Sequence, residues 1–90
     1  MMDKPVRFTK HALMKFEDLL ALGFVITEER VLDALHDPEF VDKDVDPPIA
    51  QKAISDRHLI CVVFVEDEDE ILIVTFYPAR RDRYEPEDEV

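Results

Sequence analysis

The strongest periodic signal in the chain begins after Thr9. Ala12, Leu13, Phe16, Leu19 and Leu20 recur at helical spacing, which predicts a helix over about residues 10–22 with these five on its buried stripe. Thr9 suits the N-cap, and Phe8 can staple against Leu13. Gly23, the chain's single glycine, supplies a left-handed stop. The same signals repeat at once. Thr27 caps a second helix, Ile26 can staple against Val31, and Glu28 and Glu29 favour its positive end. Val31, Leu32, Ala34 and Leu35 form the buried face, and Asp37 with Pro38 ends it. So short a connection predicts that the two helices pack as a hairpin.

Beyond Pro38 the period becomes extended. Residues 39–45 read as a polar edge strand, Pro47 and Pro48 break it, and residues 49–54 form a second strand before a turn at Ser55, Asp56 and Arg57. Residues 58–65 and 71–77 are the strongest strands, rich in Val, Ile and Phe, and the acidic run 66–70 joins them as a hairpin connection. Val6 to Phe8 can add a short first strand. The fold class is therefore α+β: a helical hairpin on a four- to five-stranded antiparallel sheet, in the order β-α-α-β-β-β-β. One domain spans residues 1–85, and residues 86–90 form a frayed acidic tail.

Both alternating sets of the central strand are apolar. Leu59, Cys61, Val63 and Val65 lie on one side, and Ile60, Val62 and Phe64 on the other. A sheet with helices on one face and water on the other alternates more cleanly. The second face therefore calls for a cover, either a curled sheet or a partner chain, and a homodimer or other protein complex is the expectation.

Ninety residues allow one modest core, and 47% hydrophobic with 37% charged residues fits a globular chain. No apolar run reaches a membrane span, and the first ten residues lack the apolar stretch of a secretory signal, so the reading is cytoplasmic. Cys61 is alone and lies within an apolar run. The chain holds no asparagine, one glutamine and one glycine, a composition in keeping with a thermophilic source.

The net charge of −11 disfavours non-specific binding of nucleic acid. Its distribution is uneven. Residues 1–15 carry +3, residues 16–70 carry −12, residues 71–84 carry +2 and residues 85–90 carry −4. Three of the six arginines, Arg80, Arg81 and Arg83, fall within four positions. With Pro78 and Ala79 turning the chain out of the last strand, they project near the sheet's end. Guanidinium groups bind phosphate in planar, bidentate fashion, and the same spacing suits surface ion pairs with Asp82, Glu85 and Glu87.

His11, with Lys10 beside it and Lys15 one turn on, has the chemistry of a general acid or base, or of a first-turn histidine packed on the sheet edge. His11, His36 and His58 are scattered, and no spacing in the chain is that of a metal site. One glycine cannot build a phosphate-cradling loop, and Ser55, the only serine, has no activating neighbour in sequence. Nothing calls for a cofactor.

The stretches FTKHALMKFEDLL, ITEERVLDALHDPEFVD, DRHLICVVF and ILIVTFYPARRDRYE resemble the small RelE/BrnT-like toxin superfamily, and more closely an uncharacterised domain family related to it. The resemblance implies an RNase-like fold, often covered by an antitoxin, in which the RNA's own 2′-hydroxyl attacks the adjacent phosphate. It would make Arg80, Arg81 and Arg83 the phosphate-stabilising set, with Lys10 and Lys15 adding charge. Tyr84 would orient or stack on a base, and His11 or Lys10 would move a proton. The start of the first helix would then lie near the end of the last strand. Such toxins are usually basic, and this chain is acidic. Two readings follow: a non-catalytic interaction or assembly module on this fold, or a ribonuclease with a local cationic patch.

Overall fold

The structure, a computed structural model, describes residues 4–81. Its elements run β1 (Val6–Phe8), α1 (Lys10–Ala21), α2 (Glu28–His36), β2 (Phe40–Asp42), β3 (Ile49–Ala53), β4 (His58–Glu66) and β5 (Ile71–Arg80). Both helices begin where the sequence caps them. Thr9 Oγ1 accepts from the Ala12 N–H at 3.0 Å and Thr27 Oγ1 from the Arg30 N–H at 3.2 Å, satisfying first-turn donors that no helix can satisfy itself. Beyond α1, Gly23 takes φ 93°, the left-handed conformation that favours glycine.

The strands form one sheet in the order β1-β5-β4-β3-β2. Strands β2 to β5 are antiparallel neighbours, but β1 runs parallel to β5, so the sheet is mixed rather than wholly antiparallel. The direction of β1 is fixed at the acidic hairpin. There the Ile71 N–H donates to the Pro5 carbonyl at 3.0 Å, and Lys4 Nζ reaches Glu66 at 2.9 Å and the Asp67 carbonyl. Entering at that end releases the chain beside Val74, from where α1 can lie over the rest of β5. An antiparallel β1 would release it at the hairpin instead, away from Phe76.

Two strand ends differ from the pattern. β2 stops at Asp42, whose carboxylate accepts from the Asp44 N–H at 3.0 Å and turns the chain toward Pro47. β5 runs past Pro78 to Arg80 instead of ending at Tyr77. Pro78 pairs with Ile60, and β1 covers only residues 71–73 on the other side of β5, so among the described residues no neighbour needs the missing N–H. A bulge at Val63/Phe64 leaves Val74 as an extra residue on β5.

The helices occupy one face. α1 lies over β5 and β1, and α2 over β3 and β4, so each rests mainly on its own half of the sheet rather than on the other helix. That explains two departures from the helical stripe. Leu13 and Leu20 are 54% and 59% exposed, because no second helix runs alongside to cover them, and Phe8 meets Phe16 (ring centroids 6.0 Å apart) instead of Leu13. Phe16 in turn meets Phe76 at a tilt, ring centroids 4.6 Å apart, and Phe76, Ile60, Val62, Ile71, Ile73 and Val31 are fully buried. α2 is tied down by Lys52 of β3, whose Nζ lies 2.7 Å from Asp33 and 3.1 Å from Asp37.

Candidate functional site

The β4–β5 ladder ends in a cluster of arginines. His58 stands opposite Arg80, and the Arg81 N–H donates to the Arg57 carbonyl at 2.9 Å, extending the ladder one step beyond β4. The turn before β4 is closed by Ser55, whose Oγ accepts from the N–H groups of Arg57 (3.3 Å) and His58 (3.1 Å). Asp56, Arg57, Arg80 and Arg81 line the resulting hollow of about 210 Å³. The hollow is lined by three arginines and one aspartate, a net positive spot on an acidic protein.

Two of these, Arg80 and Arg81, are candidates the sequence singles out; Arg57 is not. Its signal was available in the hairpin: a strand from 58 joined to one ending at 80 through a turn near 68 must place positions 57 and 81 together. Arg83 and Tyr84 lie outside the described residues, as does the tail from Pro86.

His11, Lys10 and Lys15 are not brought to this hollow. The first turn of α1 is anchored at Val74, where Thr9 Oγ1 donates to the carbonyl at 2.7 Å, and six residues of extended strand from there to Arg80 cover roughly 20 Å. It is the far end of α1 that approaches the arginines. Phe24 meets His58 edge-on, centroids 5.4 Å apart, and the twelve-residue helix is about 18 Å long. Lys10 and His11 are exposed at one end of this layer, Lys15 is half-buried midway, and Arg80 and Arg81 are at the other end.

Opposite the helices, the sheet shows an apolar face arranged in four rows by the strand register. Ala53, Leu59 and Ala79 form the first, and Phe40, Gln51, Cys61 and Tyr77 the second. Asp42, Ile49, Val63 and Thr75 form the third, and Val65, Leu72 and Arg7 the fourth. Cys61 is fully buried, and burial pushes its thiol up to about 11 against the opposing pull of a hydrogen bond with Tyr77. That thiol is a packing group, since the reactive form is the thiolate. The other half of the face is open: Phe40 is 52% and Val65 45% exposed, and Ile49, Val63 and Leu72 are half-buried. Thr75 Oγ1 in the same region is buried without a hydrogen-bond partner. Beside Val65 a cavity of about 490 Å³ opens between Val45, Pro48 and Phe64.

No helix among the described residues is long and apolar enough to cross a membrane, and no group of three or more His, Cys, Asp or Glu among them is placed to hold a metal ion. No protein-family model, no curated protein and no solved structure matches the chain.

Proposed function

We propose that the chain is a RelE/BrnT-like scaffold used as a non-catalytic assembly module, which receives a protein partner on the sheet face opposite its helices. The observation that carries this reading is the exposure of Phe40 and Val65 beside Ile49, Val63 and Leu72 on a face that neither helix covers. A contiguous apolar patch of this kind on a small domain is the mark of an interaction surface. The separation of His11 and Lys10 from Arg80 and Arg81 speaks in the same direction, because 2′-hydroxyl attack needs the proton-transferring group and the phosphate-binding cations around one phosphorus.

Nile red tests the reading directly, being uncharged and so indifferent to the acidic surface. Dilute wild-type protein is expected to enhance its fluorescence, and a Val65→Lys/Leu72→Lys variant to lose the enhancement while keeping its circular dichroism. A folded wild type that leaves the dye dark removes the docking face, and with it this function.

One observation favours a second reading, the ribonuclease: Arg57, Arg80 and Arg81 line one hollow, and arginine is a residue type that binds phosphate. RNA cleavage by the wild-type chain, in the presence of ribosomes or without them, that disappears in Arg80→Ala/Arg81→Ala would displace the assembly reading.

A further inference from the structure

We infer that the flank of α1 carrying Leu13, Phe16, Glu17 and Leu20 is a docking groove for a basic amphipathic helix of another protein. This surface is separate from the sheet face of the assembly reading and goes beyond it.

The apolar wall comes from helical spacing. Phe16, Glu17 and Leu20 follow Leu13 by three, four and seven positions, so the four share one side of α1. Val25 and Ile26 lie on the segment that leads into α2, and with Phe16, Glu17 and Leu20 they line a hollow of about 190 Å³. Phe16 and Ile26 belong to the core cluster or pack against it, which fixes the floor of the hollow. Leu13, Leu20 and Val25, the last 73% exposed, leave apolar surface in water beside it. An apolar side chain from a partner can enter the hollow while its neighbours cover Leu13 and Leu20, in the way an amphipathic helix anchors in a groove.

Charge selects the occupant. Glu17 stands in the wall of the hollow, and Glu28 and Glu29 follow Ile26 in the first turn of α2. None of the three has a hydrogen-bond or ion-pair partner among the described residues, although Glu66, Glu70, Asp33 and Asp37 are paired with Lys4, Arg7 and Lys52. Arg30, the cation nearest to Glu28 and Glu29 in sequence, reaches instead for the Ile54 carbonyl at 3.4 Å. Lys10 lies a turn before Leu13, at the opposite end of the flank. A neutral segment laid here would cover Glu17 without a counterion. A segment with Lys or Arg beside its apolar face supplies one to Glu17 and to the two glutamates of α2.

A second copy of this chain fails that requirement. Two α1 helices packed flank to flank about a twofold axis, parallel or antiparallel, bring Glu17 close to its own counterpart. Two molecules of net charge −11 also repel at longer range.

Paired peptides of about 18 residues, with leucine on one helical face and either lysine or glutamate on the other, test the inference by calorimetry. Wild type is expected to bind the lysine peptide and not the glutamate one. Leu13→Ser/Leu20→Ser removes apolar surface at exposed positions without changing charge, and is expected to weaken binding at least about tenfold with little change in melting. Glu17→Lys should weaken it about tenfold, whereas Glu68→Lys, the same charge change on the β4–β5 hairpin, should stay within about threefold. Equal losses from the two reversals, or a serine variant that binds as wild type does, reduce the attraction to net charge and overturn the groove. A larger loss from Val65→Lys/Leu72→Lys than from Glu17→Lys places the peptide on the sheet face, which overturns this inference while supporting the assembly reading. A wild type that binds neither peptide overturns it, as does a dimer that Leu20→Ser dissociates, since the occupant is then a second copy.

Discussion

Thr9 and Val74 are joined at the point where β5 carries its extra residue. One hydroxyl donates to the Val74 carbonyl at 2.7 Å and accepts from the Ala12 N–H at 3.0 Å, so the cap of α1 and the bulge of β5 share a single oxygen. Thr9→Ala removes the cap and strips the bulge carbonyl of its side-chain donor. We expect it to cost about 2 kcal/mol in denaturant unfolding, with Thr9→Ser keeping most of that.

Gly23 makes a separate prediction, because a Cβ there would meet nothing within 4 Å. The cost of Gly23→Ala is then purely the backbone cost of φ 93°, about 1–2 kcal/mol by chemical unfolding. Gly23→Asn should fall between the two.

At alkaline pH the stability should decline. The Cys61 thiol is pushed up to about 11 by burial, and Lys52 is raised by its hydrogen bonds to Asp33 and Asp37. Groups whose folded values are raised hold the folded state fully below their unfolded values and lose that contribution as pH rises through the folded ones. For Cys61 the fall should therefore begin near pH 9 and run to about pH 11, with Lys52 adding to it in the same direction. In melts recorded from pH 7 to 11, Cys61→Ala should lower stability at neutral pH but flatten the alkaline slope.

Asp67 sets the opposite limb. Its carboxylate accepts from the N–H groups of Glu70 at 2.8 Å and Asp69 at 2.7 Å, and these bonds, with Lys4 nearby, hold it below the usual 3.8. A lowered carboxylate contributes above its unfolded value and loses the contribution as pH falls through the folded one. Acid melts below pH 4 should show this loss, and Asp67→Asn should remove that part of the dependence.

The arginine hollow predicts a role for a residue far from the cluster in sequence. If a phosphate-bearing ligand such as RNA binds there, Arg57→Ala should weaken it by about as much as Arg80→Ala, and both should reduce the salt dependence of binding. Binding untouched by Arg57→Ala would move the ligand to another surface.

What the chain discloses before folding is mostly local. Thr9, Thr27 and Gly23 mark their helix ends because capping is decided within four residues, and β4 declares itself by an apolar run too short for a membrane and too β-branched for a helix. The parallel pairing of β1 was hidden, since three residues carry no directional signal and the decision is made by Lys4 and Pro5 at a hairpin some sixty positions away. Leu13 and Leu20 read as core because a helical stripe says which side is apolar, not whether a neighbour arrives to cover it. Pro78 reads as a strand end for the same reason: its tolerance depends on which edge is vacant. Arg80 and Arg81 were legible as a pair of neighbours, and Arg57 only as a consequence of hairpin register.

The continuation of β5 through Pro78 also bears on how the molecule behaves when crowded. Beyond residue 73 no strand among the described residues pairs with its outer edge, and an unpaired strand edge is a template on which foreign chains can grow into fibrils. Because Pro78 pairs with Ile60 without an N–H to give, its nitrogen faces outward, and an incoming strand would find a gap in the row of donors just where the edge is longest. Replacing Pro78 by Val would fill that gap, and the stretch ILIVTFY beside it has the composition that amyloid favours. One ring thus shields a fibril-prone stretch at the sheet's edge.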